Sequence, residues 1–210
     1  MRGLFITFEG LDGCGKTTQI RRLVEHLHAL GREVVETAEP GGTRIGKQIR
    51  RILLDSTNLE LSSTAELLLY FASRAQNVDE LILPALDAGK IVISDRFTDS
   101  TLVYQGCGRG LGVEAVLTLD RLACRGLVPD LTILIDIDLE TSLARAHSRN
   151  TEAAHAETRM DEQSLEFHQK VRDAYRALAE REAKRFRMVD GRAGPEDIER
   201  RIWEVIAPHV

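Results

Sequence analysis

The stretch Leu4-Phe5-Ile6-Thr7-Phe8-Glu9-Gly10-Leu11-Asp12-Gly13-Cys14-Gly15-Lys16-Thr17-Thr18 decides the fold. Leu4–Phe8 is a short apolar run of strand type. Gly10 to Thr17 then fits G-x-x-x-x-G-K-[ST], a loop that wraps phosphates with its backbone N–H groups. Behind it, Ile20, Leu23, Val24, Leu27 and Leu30 recur at helical spacing, and Gly31 is placed to stop that helix. Strand, glycine loop and helix in this order make an anion site, because the loop amides and the positive end of the helix dipole converge on one point. Gly10, Leu11, Asp12, Gly13, Cys14, Gly15, Lys16, Thr17 and Thr18 are therefore the candidate contacts to a nucleoside triphosphate. Lys16 is expected at the β- and γ-phosphates and the Thr17 hydroxyl on Mg²⁺.

Outward from this loop the chain alternates strands and helices. Val34-Val35 suggests a second strand, followed by a turn at Pro40-Gly41-Gly42. Ile45, Ile49, Ile52 and Leu53 mark an amphipathic helix with Arg44, Lys47, Arg50 and Arg51 on its other faces. Ser63-Thr64-Ala65-Glu66 has the form of a capping box, opening a helix toward Gln76. A further helix is expected from about Asp79 to Ala88, closed by Gly89. Ile91–Ile93 and Leu131–Ile135 read as buried strands, with a glycine-rich loop (Gly106, Gly108, Gly110, Gly112) and a helix between them. A last strand falls near Phe186–Val189, and Pro195 suits the first turn of a final helix. Apolar strands alternating with helices imply an α/β fold: a five-stranded parallel sheet with helices on both faces, in one domain spanning residues 1–210. The polar, aperiodic stretch Ser148–Thr158 reads as a mobile surface segment, a short lid over about residues 145–162. Asp95 ends a strand at the carboxyl edge of the sheet, where an acid can hold Mg²⁺ or water beside the phosphate loop.

Composition narrows the setting. The 210 residues carry a formal charge of −5, a poor match to general nucleic-acid binding, although basic clusters at 44–51 and 181–187 can hold small phosphorylated ligands. Cys14, Cys107 and Cys124 are odd in number and lack metal-type spacing, which fits a reducing compartment. No apolar run approaches the ~18 residues of a membrane span, and no secretory leader is evident. A cytoplasmic protein with no nucleic-acid or membrane partner is expected.

A phosphate loop alone does not separate kinases from switches and motors. A guanine site of the Asn-Lys-x-Asp kind is absent, since none of Asn58, Asn77 and Asn150 precedes a lysine. Phe8-Glu9-Gly10-Leu11-Asp12-Gly13, Glu39-Pro40-Gly41-Gly42-Thr43, Asp95-Arg96-Phe97 and Tyr104-Gln105-Gly106-x-Gly108-Arg109 follow one another along the chain. Together they resemble the thymidylate kinases, P-loop nucleoside monophosphate kinases that phosphorylate dTMP to dTDP with Mg²⁺ and ATP on the way to dTTP. The resemblance runs from Phe5 to the final helix.

That resemblance implies roles residue by residue. Arg96 would hold the acceptor phosphate and Arg74 the thymine carbonyl, with Tyr70 or Phe71 stacked on the base. Thr101 and Gln105 would line the thymine pocket, and Tyr104 would pack below the sugar. Asp12 would lie near the sugar and the metal. Glu39, Pro40, Arg50 and Ser100 complete the implied acceptor site. Some family members carry an arginine inside the phosphate loop. Gly13 stands there in this chain, so the resemblance is to the bacterial-type arrangement, whose arginine comes from the lid. Arg145, Arg149 and Arg159 bracket that segment, with Arg149 or Arg159 expected at the transferring phosphoryl group. The family also implies a homodimer built on helix faces. A kinase for another small acceptor, or a nucleotide-binding protein without turnover, are the alternatives.

Overall fold

The structure is a computed structural model that describes residues 2–152, 159–160 and 163–210, with the side chains of 146, 147 and 149–152 left outside the description. Five strands, β1 (Phe5–Glu9), β2 (Val34–Ala38), β3 (Ile91–Asp95), β4 (Leu131–Asp136) and β5 (Phe186–Asp190), form one sheet in the order β2-β3-β1-β4-β5. Every pairing is parallel. The connection from β3 to β4 crosses β1, so a crevice opens at the carboxyl ends of β1 and β3, where Glu9 and Asp95 close their strands.

Helices cover both faces, as the near-continuous apolar strands require. On one face, Ile20, Leu23 and Leu27 of α1 (Lys16–Ala29) and Ile198, Ile202 and Ile206 of α9 (Pro195–Ile206) pack with Ile6, Phe8 and Ile133. On the other, Leu67 and Phe71 of α3 (Ser63–Asn77) and Val171 and Tyr175 of α8 (Leu165–Arg181) pack with Phe5, Val92 and Leu134. On this second face, α2 (Arg44–Leu54) packs through Leu53 and Leu54 and is capped by Thr43, whose side chain accepts from the Gly46 amide at 3.0 Å. Ser164 caps α8 in the same way, accepting from the Phe167 amide at 3.2 Å. Among the described residues, no helix is long and apolar enough to cross a membrane.

Several local expectations need correction. The cap of α3 is Ser62, which accepts from the Ala65 amide at 3.3 Å, so Ser63 and Glu66 form no capping box. The helix expected over Asp79–Ala88 continues α3 without a break, through a π-helical turn at Val78–Ile82 into α4 (Leu83–Asp87). Gly106 and Gly108 lie in a second π-helical segment, Leu102–Gly108, that extends α5 (Thr98–Thr101), and α6 (Val113–Ala123) follows. Of the lid expected over about residues 145–162, residues 145–152 belong to α7 (Leu139–Glu152) and 159–160 form a turn, while 153–158 and 161–162 lie outside the described residues. The sequence periodicity marked neither α7 nor α8.

Candidate active site

A cavity of ≈ 960 Å³ lies over the carboxyl edge of the sheet. The phosphate loop forms one end of it, from Asp12 to Thr18. The other end carries Glu39, Pro40, Arg50, Tyr70, Arg74, Asp95, Arg96, Ser100, Thr101, Tyr104 and Gln105. These residues come from the turn after β2, from α2 and α3, from the end of β3 and the residue after it, and from the helical stretch 98–108.

At the loop end the backbone does most of the shaping. Gly10 has φ of +135°, and a Cβ there would sit 2.5 Å from the Ile135 carbonyl oxygen, so only glycine lets the loop lie against β4. A Cβ on Gly15, at φ +101°, would meet nothing within 4 Å, because that position faces the open cradle. Lys16 is buried, and its ammonium donates to the carbonyls of Gly10 at 3.1 Å and Leu11 at 3.0 Å. The charge is thus held at the mouth of the loop by groups that a phosphate can replace. Burial pushes the Cys14 thiol up, which makes it an inert packing residue inside the loop. Gly10 and Leu11 shape the loop from behind without lining the cavity.

Next to the loop, the Thr17 hydroxyl lies 3.4 Å from Asp95 Oδ2, and Asp95 Oδ1 is buried with no partner among the described residues. Two hard oxygen donors at the base of a phosphate cradle suit Mg²⁺, which keeps few protein ligands and completes its shell with phosphates and water.

The acceptor end is built from buried charge. Arg96 has φ of +71°, a left-handed conformation that costs a non-glycine residue about 1–2 kcal/mol. Its amide bonds the Phe8 carbonyl at 2.9 Å and its carbonyl accepts from Ser94 Oγ at 2.6 Å, which hold the turn. The guanidinium donates to Asp12 at 2.9 Å, Ser100 at 3.0 Å, Tyr175 at 3.2 Å and Tyr104 at 3.4 Å, and lies over the Tyr104 ring. Burial opposes its charge, but Tyr104 and Asp12 outweigh that and keep it protonated. Beneath it, Glu9 is fully buried and accepts from the Phe97 amide (2.9 Å), Ser100 (2.6 Å) and Tyr175 (2.7 Å). Burial, with Asp99 adding repulsion, pushes Glu9 up to about 7 against the pull of Arg96, Ser100 and Tyr175.

Arg74 crosses the floor of the cavity. It pairs with Glu39, and its Nη2 donates to Thr101 at 2.8 Å and the Phe97 carbonyl at 3.2 Å. Asn77 donates to the second Glu39 oxygen at 3.0 Å. Arg74 lines the cavity, and its Nη1 is buried with no partner among the described residues. Arg50 donates to the carbonyl of Pro40 at 3.0 Å, and the Glu39–Pro40 peptide is cis.

Some expected site residues are placed elsewhere. Tyr70 lines the cavity, but Phe71 turns into the core with its ring 4.9 Å from the Arg74 guanidinium, so it supports Arg74 rather than facing a ligand. Arg159 does not reach the phosphate loop. It is buried against α2 and α3, with its Nε on the Leu53 carbonyl at 2.5 Å and its Nη2 2.7 Å from Glu66. The side chain of Arg149 lies outside the described residues. Arg145 lines the cavity, and among the described residues it makes no hydrogen bond or ion pair. Sequence reasoning missed Glu9, Tyr175 and Glu66 as parts of this site.

The comparisons with known proteins agree along nearly the whole chain. The family model for thymidylate kinase matches residues 8–202. The thymidylate kinase of Pelobacter propionicus is 54% identical over 93% of this chain and 90% of its own. That of Desulfovibrio desulfuricans is 50% identical over 93% and 91%, and that of Geobacter sulfurreducens 48% identical over 99% and 98%. On this match, and with the loop and cavity described above, the chain belongs to the thymidylate kinase family.

Proposed function

We propose that the enzyme transfers the γ-phosphoryl group of ATP to dTMP, giving ADP and dTDP. The observation that carries this reading is the two-ended cavity, with a triphosphate loop at one end and Arg74 and Arg96 lining the other. The bond from phosphorus to the β,γ-bridging oxygen breaks, and a bond to a dTMP phosphate oxygen forms. That oxygen is already ionised, so no general base is needed. The protein's work is alignment of two polyanions and neutralisation of charge on the equatorial oxygens.

The residues divide this work. Lys16 leaves the Gly10 and Leu11 carbonyls to bind the β- and γ-phosphates. Arg96 takes the acceptor phosphate, exchanging part of its contact with Asp12. Arg74 Nη1 donates to a base carbonyl, Tyr70 packs on the base, and Tyr104 lies below the sugar. Thr17 and Asp95 are the candidate Mg²⁺ ligands; the ion, when bound, supplies Lewis-acid neutralisation of the phosphates. Arg145 is the described cation best placed to meet the transferring group. A cytoplasmic homodimer is part of the same reading, and the exposed Leu68 of α3 and Leu122 of α6 offer apolar surface for a helix-face interface. Light scattering measures that state.

An acceptor panel tests the function. With ATP and Mg²⁺, dTMP should give the highest kcat/KM over dCMP, dGMP, AMP and ribo-TMP. dUMP should be the nearest competitor, since one methyl is worth ~1–3 kcal/mol in a pocket. Equal rates on purine and pyrimidine monophosphates would refute the assignment.

A further inference from the structure

Glu66 lies on α3 one turn before Tyr70 and two before Arg74, on the face that looks into the cavity floor. It is 1% exposed, yet it lies outside the set of residues that line the cavity. Its carboxylate gathers a dense set of donors. Gln105 Nε2 donates to Oε1 at 2.8 Å, and Arg109 reaches both oxygens at 3.2 Å. Arg159 lies 2.7 Å from Oε2. Arg109 is itself held by Gln163 at 2.7 Å and by the Phe167 ring. Burial pushes Glu66 up, but the Gln105 and Arg109 donors outweigh it and leave the carboxyl below its ordinary value.

An ionised carboxylate can only accept hydrogen bonds, so the Gln105 amide must present its NH₂ end to Glu66. Gln105 lines the cavity, and among the described residues no donor reaches its Oε1. The amide end left for a ligand is therefore an acceptor. Arg74, which lines the same cavity, carries the complementary group: Nη1, a buried donor without a partner among the described residues. Thr101, which holds Arg74, and Gln105 are one helical turn apart. A donor beside an acceptor matches the O4 and N3–H edge of thymine or uracil. Cytosine presents the reverse, an amino donor at C4 and an acceptor at N3.

We propose that Glu66 is a positioning residue for acceptor choice: by fixing which way the Gln105 amide points, it makes the pocket read a thymine-type edge and reject a cytosine-type edge. The inference rests on the dTMP reading above. Without the carboxylate, the amide can turn over and offer its NH₂ to cytosine N3. A buried polar site discriminates strongly only while its own groups are fixed, because a mispaired base then leaves donors and acceptors unsatisfied.

The test compares kcat/KM for dTMP and dCMP in four proteins: wild type, Glu66→Gln, the double variant Glu66→Gln/Gln105→Glu, and Arg109→Met. Glu66→Gln should lower the dTMP-to-dCMP ratio at least tenfold while the KM for ATP moves less than threefold. The double variant returns an acceptor to the ligand-facing position and should recover most of the ratio. Arg109→Met disturbs the same cluster without freeing the Gln105 amide, so it should lower the Tm and leave the ratio within threefold. A folded Glu66→Gln enzyme with a wild-type ratio overturns the proposal, as does an equal loss of ratio in Arg109→Met. Wild type without preference for dTMP over dCMP would instead refute the acceptor reading, and this inference with it. Should Glu66→Gln not fold, NMR of wild type decides. A Gln105 Nε2 proton should stay protected from solvent exchange with and without dTMP. A scalar coupling from Nε2–H to the bound base would overturn the proposal.

Discussion

The two ends of the cavity are made differently. The donor end is one contiguous run, Asp12–Thr18, whose backbone is shaped as a phosphate cradle, with Lys16 as its main buried charge. The acceptor end is assembled from side chains far apart in sequence: Glu9 with Tyr175, Glu39 with Arg74, Asp12 with Arg96, Glu66 with Gln105. Backbone cradles bind any triphosphate of the right shape. Buried charges held by ion pairs fix a few donors and acceptors in direction, which is what choosing one base among several demands. The difference teaches that generality and selectivity are supplied by separate chemistry within one cavity.

Variants can break that division. The largest effect is expected from Lys16→Ala, which should reduce kcat by ~10³-fold or more in a folded protein, because the ammonium acts most strongly on charge developing in the transition state. Steady-state kinetics with circular dichroism checks it, and a near wild-type kcat would take Lys16 out of the chemistry.

The next contrast is between two arginines. Arg145 lines the cavity with no hydrogen bond or ion pair among the described residues, whereas Arg159 is locked to Glu66 and the Leu53 carbonyl. Arg145→Ala should lower kcat by ~10²-fold or more with little change in the KM for ATP, the pattern of an interaction made in the transition state. Arg159→Ala should instead lower the Tm by several degrees, since it leaves Glu66 short of a partner. Thermal melts and kinetics on both variants separate the roles, and a kcat loss confined to Arg159→Ala would reverse the assignment.

A smaller effect sharpens the account of the acceptor end. Glu9 is raised to about 7 from 4.5, so the folded state binds a proton that the unfolded state has already lost. Its contribution to stability is complete below about pH 4.5 and falls away as pH rises toward and through 7. The Tm of wild type should therefore decline relative to Glu9→Gln between pH 5 and pH 8. Parallel Tm curves for the two proteins would show that burial does not govern this carboxyl.

The fold was open to reading from sequence because strands apolar throughout and helices of clear period carry their own signatures. Five strands and the phosphate loop needed only local pattern. Tyr175 did not, since its role depends on α8 bringing it to Ser100 and Glu9 across 166 residues of chain. Glu66 was misread for a local reason: Ser63-x-x-Glu66 has the spacing of a capping box, but Ser62 caps the helix and tertiary pairing claims the carboxylate. The signal that could have found it was its helical spacing with Tyr70 and Arg74, which puts all three on one face. Phe71 against Tyr70 is a one-residue question of helix rotation, and packing against the sheet settles it in favour of Tyr70 at the cavity. Asp95 and Arg96 were visible as a strand end, although the left-handed turn at Arg96 was not.

Separate titrations of ATP and dTMP into wild type and Arg96→Met by calorimetry, with Mg²⁺ present, test the division between the two ends most directly. Arg96 donates to three groups of the acceptor end and, among the described residues, hydrogen-bonds the phosphate loop at Asp12. Removal of its charge should weaken dTMP by roughly 10–100-fold, the range of a lost charge-assisted hydrogen bond, and leave ATP within threefold. An equal loss of both ligands would contradict the account and make the cavity one cooperative charge network.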